Sequence, residues 1–118
     1  NGISSWTAFF GTSDIGFHFS PEQVGGNPWS SLNTYIEKSP ITYANQVNTP
    51  VLFVHSWNDY RCWMDQSIEF YTALKYLGKE TQLAMFMEGP HSFRSVAKLS
   101  IRKKRYRLML DWFDKYLK

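Results

Sequence analysis

The feature that most limits what this chain can become is a run of four apolar residues, Val51, Leu52, Phe53 and Val54, entered through Thr49-Pro50. The run is continuous rather than alternating, so it predicts a strand buried on both faces, the kind found inside a parallel sheet. Polar residues stop it: His55, Ser56, Asn58 and Asp59. Open α/β sheets keep their ligand and catalytic groups just beyond the carboxyl ends of their strands. Asp59 is therefore the first candidate for chemistry.

The residues after Asp59 fit the rest of a βαβ unit. Met64, Ile68, Tyr71, Leu74 and Leu77 recur at helical spacing and predict an amphipathic helix from Met64 to Leu77. Asp65 and Glu69 near its start and Lys75 near its end suit the helix dipole, and Gly78 is a natural stop. Thr81–Met87 (T-Q-L-A-M-F-M) reads as the second strand, parallel to the first. A loop over Glu88–Ser100 carries His91. A final helix, Ile101–Leu117, closes the chain, with Tyr106, Met109, Leu110, Phe113, Tyr116 and Leu117 on one face and Leu108 and Trp112 widening it.

Upstream, residues 1–48 read as an aromatic segment and a connector. Glycines at 2, 11 and 16 predict a short helix or turn around Ser4–Phe10, then a loop. Trp6, Phe9, Phe10, Phe17 and Phe19 are too large and apolar for a free loop and require a body to pack on. Ser30 or Ser31 is placed to cap a short helix through Tyr35 and Ile36. Ser39-Pro40 favours an extended step, and Ile41–Val47 is one helical turn or a loop. At 118 residues and 43% apolar composition, the chain fits a single folded domain, residues 1–118.

Several function classes fall away on composition. A single cysteine, Cys62, excludes an intramolecular disulfide framework and any CxxC metal site. It reads as a half-buried thiol of a cytoplasmic protein rather than a nucleophile. His18, His55 and His91 have no metal-ligand spacing, and no cofactor is expected. No apolar run approaches the roughly 20 residues of a membrane span, and no signal-peptide pattern opens the chain. The start at Asn1 rather than methionine is expected of a processed or excerpted piece. The net charge of +3 owes much to Lys98, Arg102, Lys103, Lys104, Arg105 and Arg107. That run lacks the interleaved aromatics of a nucleic-acid interface and reads as a solvated helix face or a contact with another domain.

Asp59 and His91 stand 32 residues apart, each on the loop after a parallel strand. Neighbouring strands lie about 5 Å apart, so loops leaving the same edge can bring the two side chains together. An acid that fixes the tautomer of a histidine is half of a hydrolytic triad. Spacing equally allows Asp59 to begin a turn or cap the next helix while His91 is simply exposed. His55 reads as a structural hydrogen-bonding residue and His18 as packing. Arg61 is free either to pair with an acid or to face substrate.

The longer patterns carry a resemblance. Ser39–Tyr43 (S-P-I-T-Y), Thr49–His55 (T-P-V-L-F-V-H), Asp59–Cys62 (D-Y-R-C), His91, Trp112–Leu117 (W-F-D-K-Y-L) and Phe10–Gly16 (F-G-T-S-D-I-G) together resemble the C-terminal part of the prolyl oligopeptidase family catalytic domain, closest to its acylaminoacyl-peptidase-like branch. The resemblance implies a partial α/β-hydrolase fold and a serine-type peptidase acting on short or N-acylated peptides. It also implies that Asp59 and His91 match the catalytic acid and base. Trp63 stands where that family usually has proline, and Pro90 where a small polar residue is common. The nucleophile elbow G-x-S-x-G is not found: Gly2-Ile3-Ser4 and Gly11-Thr12-Ser13 lack the second glycine and read as ordinary loop serines. The isolated chain is therefore expected to be inactive or nearly so. It is also expected to self-associate through the open edge of the strand Val51–Val54 or through its aromatic N-terminal segment.

Overall fold

In the computed structural model, which describes residues 1–117, the apolar run forms β1 (Val51–Ser56). It pairs in parallel with β2 (Thr81–Phe86), Val51 opposite Thr81 and Ser56 opposite Phe86. Lys118, the last residue of the expected domain, lies outside the described residues. The ladder runs one step past β1, where Trp57 N–H donates to Phe86 O at 2.8 Å. A helix, α4 (Asp65–Tyr76), joins the strands and packs on both. The architecture is thus the expected α/β one. One expectation changes: Val51–Val54 are half-buried, not covered on both faces, whereas His55 and Ser56 are fully buried. Beyond the β2 side, β1 meets the amino group of Asn1, which donates to Val54 O at 2.9 Å.

The inward faces of the helices also differ from their apolar periodicity. In α4 the buried residues are Gln66, Ser67 and Leu74, while Ile68 and Leu77 are exposed. The reason is hydrogen bonding. Gln66 Oε1 accepts from the backbone N–H groups of Ser4 and Ser5 at 2.9 and 3.0 Å, and Ser67 Oγ bonds His55. Polar side chains with internal partners can occupy a buried stripe at little cost. The last helix, α6 (Leu99–Tyr116), begins two residues earlier than expected and buries Trp112. Ile101, Leu108 and Met109 are half-buried, whereas Tyr106, Leu110, Phe113 and Leu117 lie in solvent. The expected loop before it contains a short helix, α5 (Phe93–Val96), seated by the buried ring of Phe93.

The N-terminal third is more helical than its glycines suggested. Helices α1 (Trp6–Thr12) and α2 (Gly16–Val24) form a hairpin, α3 (Leu32–Glu37) comes next, and a 3-10 segment (Pro40–Gln46) leads to β1. Ser5 caps α1 by accepting from Ala8 N–H at 3.2 Å. Gly16 does not break structure; it permits contact, because a Cβ there would lie 2.3 Å from Phe9 O. Trp6, Phe9 and Phe19 pack as one aromatic cluster, with Phe9 buried. Ser31 occupies the cap position of α3 without a capping bond, its hydroxyl turning instead to Gly25 O at 3.3 Å.

Candidate active site

The turn after β1 is built around one carboxylate. Asp59 is fully buried. Its Oδ1 accepts from the backbone N–H groups of Cys62 at 2.9 Å and Arg61 at 3.1 Å, closing the turn on itself. Its Oδ2 accepts from Asn1 Nδ2 at 3.0 Å. The loop after β2 delivers the second group. Gly89, at φ 112°, turns the chain where a side chain would strike Phe93, and its carbonyl accepts from the Ser56 hydroxyl at the end of β1. His91 is two residues further on, with Nδ1 at 2.9 Å from Asp59 Oδ2 and 3.1 Å from Oδ1.

The two candidates are thus brought into direct contact. A carboxylate only accepts, so Nδ1 carries the proton and donates. In the neutral ring that leaves Nε2 free to accept, and it makes no hydrogen bond among the described residues. The side chain is 43% exposed beside an acid that is fully covered. His91 stands between two open clefts. One of 250 Å³ includes Tyr60, Arg61 and Pro90, and one of 270 Å³ includes Ser92, Arg94 and Arg105.

Nothing in the sequence pointed to Asn1. Its carboxamide donates one N–H to Asp59 Oδ2 and the other to His91 O, at 2.6 Å. The contacts span 58 and 90 residues, so no local motif could signal them. His55 is structural, as its position at the strand end suggested. Its Nε2–H donates to Cys62 O at 2.7 Å, and Nδ1 accepts from the Ser67 hydroxyl at 2.6 Å. Burial lowers its pKa despite Asp59 Oδ2 at 3.6 Å.

The remaining candidates find other roles. Arg61 pairs with Asp14, Nε to Oδ1 at 2.7 Å, which lowers the Asp14 pKa, and it also lines the 250 Å³ cleft beside His91. Cys62 is buried, and burial pushes its thiol up to about 11, so it stays protonated at neutral pH. Ser4 is buried with its hydroxyl on Gln66 O at 2.6 Å, and Ser13 ends α1. His18 lies exposed on α2 against the Phe17 ring. Among the described residues, no group of three His, Cys, Asp or Glu side chains is placed to hold a metal, and no helix is long and apolar enough to cross a membrane. Part of the basic run is paired, Lys98 with Glu88 and Arg107 with Asp111.

Set beside known proteins, residues 1–118 match the model of the prolyl oligopeptidase family over their whole length. The chain belongs to the prolyl oligopeptidase family. Among curated relatives it is 36% identical, over 115 residues, to the uncharacterized peptidase YuxL of Bacillus subtilis, covering 98% of this chain and 18% of that protein. Among solved structures it matches the uncomplexed acylaminoacyl peptidase of Pyrococcus horikoshii with a TM-score of 0.95 at 43% identity, covering 99% of this chain and 19% of that one. An acylaminoacyl peptidase in complex with Z-Gly-Gly-Phe-chloromethyl ketone gives the same TM-score, 0.95, and identity, 43%. The chain is therefore a partial α/β-hydrolase unit that spans less than a fifth of these relatives, 18% and 19%. Its family and fold match those the sequence implied.

Proposed function

We propose that this chain carries the acid and base of a serine-type peptidase that hydrolyses short or N-acylated peptides. The supporting observation is the pair itself: a buried, fully hydrogen-bonded Asp59 holding Nδ1 of a half-exposed histidine that lines two clefts. In this reading, Asp59 fixes the tautomer and stabilises the imidazolium without taking the proton. His91 Nε2 accepts the proton of an attacking serine hydroxyl, then returns it to the leaving amine. The serine and the oxyanion donors come from outside residues 1–117, and the unit 1–118 acts as the C-terminal part of a cytoplasmic catalytic domain.

The test uses a chimaera that joins this chain behind the upstream part of the Pyrococcus horikoshii relative. Acylated-peptide hydrolysis is expected, with fluorophosphonate labelling of one serine, and both are lost in His91→Ala. The isolated chain is expected to take no adduct. A His91-dependent adduct on the isolated chain would show that it holds its own nucleophile and would sink the division of labour proposed here.

A second reading, a non-catalytic fragment that folds and self-associates, is favoured by a different observation. On its edge away from β2, β1 takes one hydrogen bond among the described residues, from Asn1 to Val54 O, and Trp29, Tyr76 and Leu117 are 82%, 91% and 76% exposed. Association through the edge of β1 or the aromatic N-terminal segment predicts a dimer or larger assembly in light scattering. A monodisperse monomer ends that reading.

A further inference from the structure

The 270 Å³ cleft on one side of His91 is chemically one-sided. Asn1, Ser92, Arg94 and Arg105 line it with His91, and no carboxylate does. Four cations, Arg61, Lys98, Arg107 and Lys115, meet acids, on Asp14, Glu88, Asp111 and Glu80. Others such as Lys103 and Lys104 have no ion pair among the described residues, so it is the placing of two arginines beside His91 that marks this cleft. Neither Arg94 nor Arg105 meets an acid among those residues. Nor is Arg105 a loose surface side chain. It is half-buried, with its guanidinium over the ring of Phe93 at 5.7 Å and that of Tyr106 at 5.2 Å. Phe93 is itself buried against Phe86. The arginine is held in place before any ligand arrives.

Guanidinium groups match carboxylates in planar, two-pronged geometry, and a neutral side chain offers them no such partner. We infer that this cleft is a carboxylate-binding subsite, which, on the peptidase reading above, selects peptides carrying an anionic group close to the bond that is cut. At 270 Å³ the cleft falls below drug-sized pockets of about 300–1,000 Å³ and suits a carboxylate with the residue that bears it. That carboxylate is either a peptide C-terminus or an acidic side chain; the chemistry of recognition is the same.

Binding to the chain itself tests this without any turnover. Three probes are titrated while the Arg Nε–H and His91 ring signals are followed by NMR: acetyl-Ala-Ala as the free acid, the same peptide as its C-terminal amide, and acetyl-Ala-Asp amide. The free acid is expected to shift the Arg105 and His91 signals and to bind about tenfold more tightly than the amide. The acetyl-Ala-Asp amide tells a side-chain carboxylate from a terminal one: binding as tight as the acid admits both sources, and binding as weak as the plain amide restricts the subsite to a C-terminus. Arg105→Gln and Arg94→Gln each remove most of the preference, while Lys103→Gln, further along the basic run, leaves it intact. Arg94 is exposed on a short helix, so its variant carries the test if Arg105→Gln, which gives up two ring contacts, unfolds. Equal binding of acid and amide, indifference to both arginine variants, or an equal loss in Lys103→Gln would overturn the inference. If binding fails while the chimaera hydrolyses peptides through His91, only the subsite is wrong. If binding holds and hydrolysis fails, only the peptidase reading is wrong.

Discussion

The two strand ends that meet at the Asp59–His91 pair are built in opposite ways. Past β1, every polar side chain that matters is buried and answered: His55 by Ser67 and Cys62, Asp59 by two backbone amides and by Asn1. Past β2, the chain runs through an exposed loop and a four-residue helix. It is tied to the β1 end through the Ser56 hydroxyl, the Asn1 carboxamide and His91 itself. The difference reflects the two tasks proposed. An orienting acid must already be fixed when the reaction starts, so low mobility and many donors serve it. A base must be reached by the proton it takes, so its outer nitrogen has to face open space.

The comparison is broken most severely at the acid. Asp59→Ala strands the buried N–H groups of Arg61 and Cys62, and unfolding of the chain in urea is expected to show a loss of about 3 kcal/mol. Asp59→Asn keeps the shape but offers His91 a group that can hold the wrong tautomer; turnover by the chimaera should fall about 10⁴-fold. His91→Ala should reduce turnover on a similar scale while changing stability by less than about 0.5 kcal/mol, since its side chain is 43% exposed. Equal losses of stability at both positions would mean that the two ends are built alike.

His55 sharpens the contrast through pH. It is buried as a neutral ring with its pKa lowered, chiefly by burial. In the unfolded chain it titrates near its usual value of about 6.5, so below that pH the unfolded state binds the proton and the folded state resists it. Stability is then fully present above about pH 6.5 and declines as pH falls toward the lowered folded value. His55→Gln should cost about 1–3 kcal/mol at neutral pH by breaking two buried hydrogen bonds, and should flatten the profile on the acid side. Urea midpoints measured from pH 7.5 to 5 check both. An unchanged slope in the variant would assign the acid sensitivity to another group.

Much of this fold was legible because continuous apolar runs bounded by polar residues leave few alternatives to buried strands, and β1 and β2 lie close to their expected limits. The contact between Asp59 and His91 was legible as a possibility once both were placed after parallel strands. What periodicity missed were faces set by polar residues. Gln66 and Ser67 look like solvent-facing positions until their partners, Ser4, Ser5 and His55, are brought up from 12 to 62 residues away. Gly16 looks like a breaker because a sequence does not show that another helix's carbonyl will occupy the space of its missing side chain. The exposed stripe of Tyr106, Leu110, Phe113 and Leu117 looks like core by composition. In a chain spanning 19% of its structural relative, an apolar face need not find its cover within the same residues.

Asn1 offers the smallest and most discriminating change, because its side chain touches both ends of the comparison. Its carboxamide nitrogen steadies Asp59 Oδ2 and holds the backbone carbonyl of His91. Asn1→Ala removes two donors from a partly exposed site and should cost about 1 kcal/mol of stability. If the bridge positions the base, the chimaera should lose about tenfold in kcat with KM nearly unchanged, the worth of one hydrogen bond felt in the transition state. Asn1→Asp, close in shape, replaces a donor by a carboxylate facing Asp59 and should be worse than alanine on both measures. A merely structural asparagine would lower stability in both variants and leave kcat alone; in that case the His91 loop holds its own position, and the exposed side of the pair is more rigid than its exposure implies.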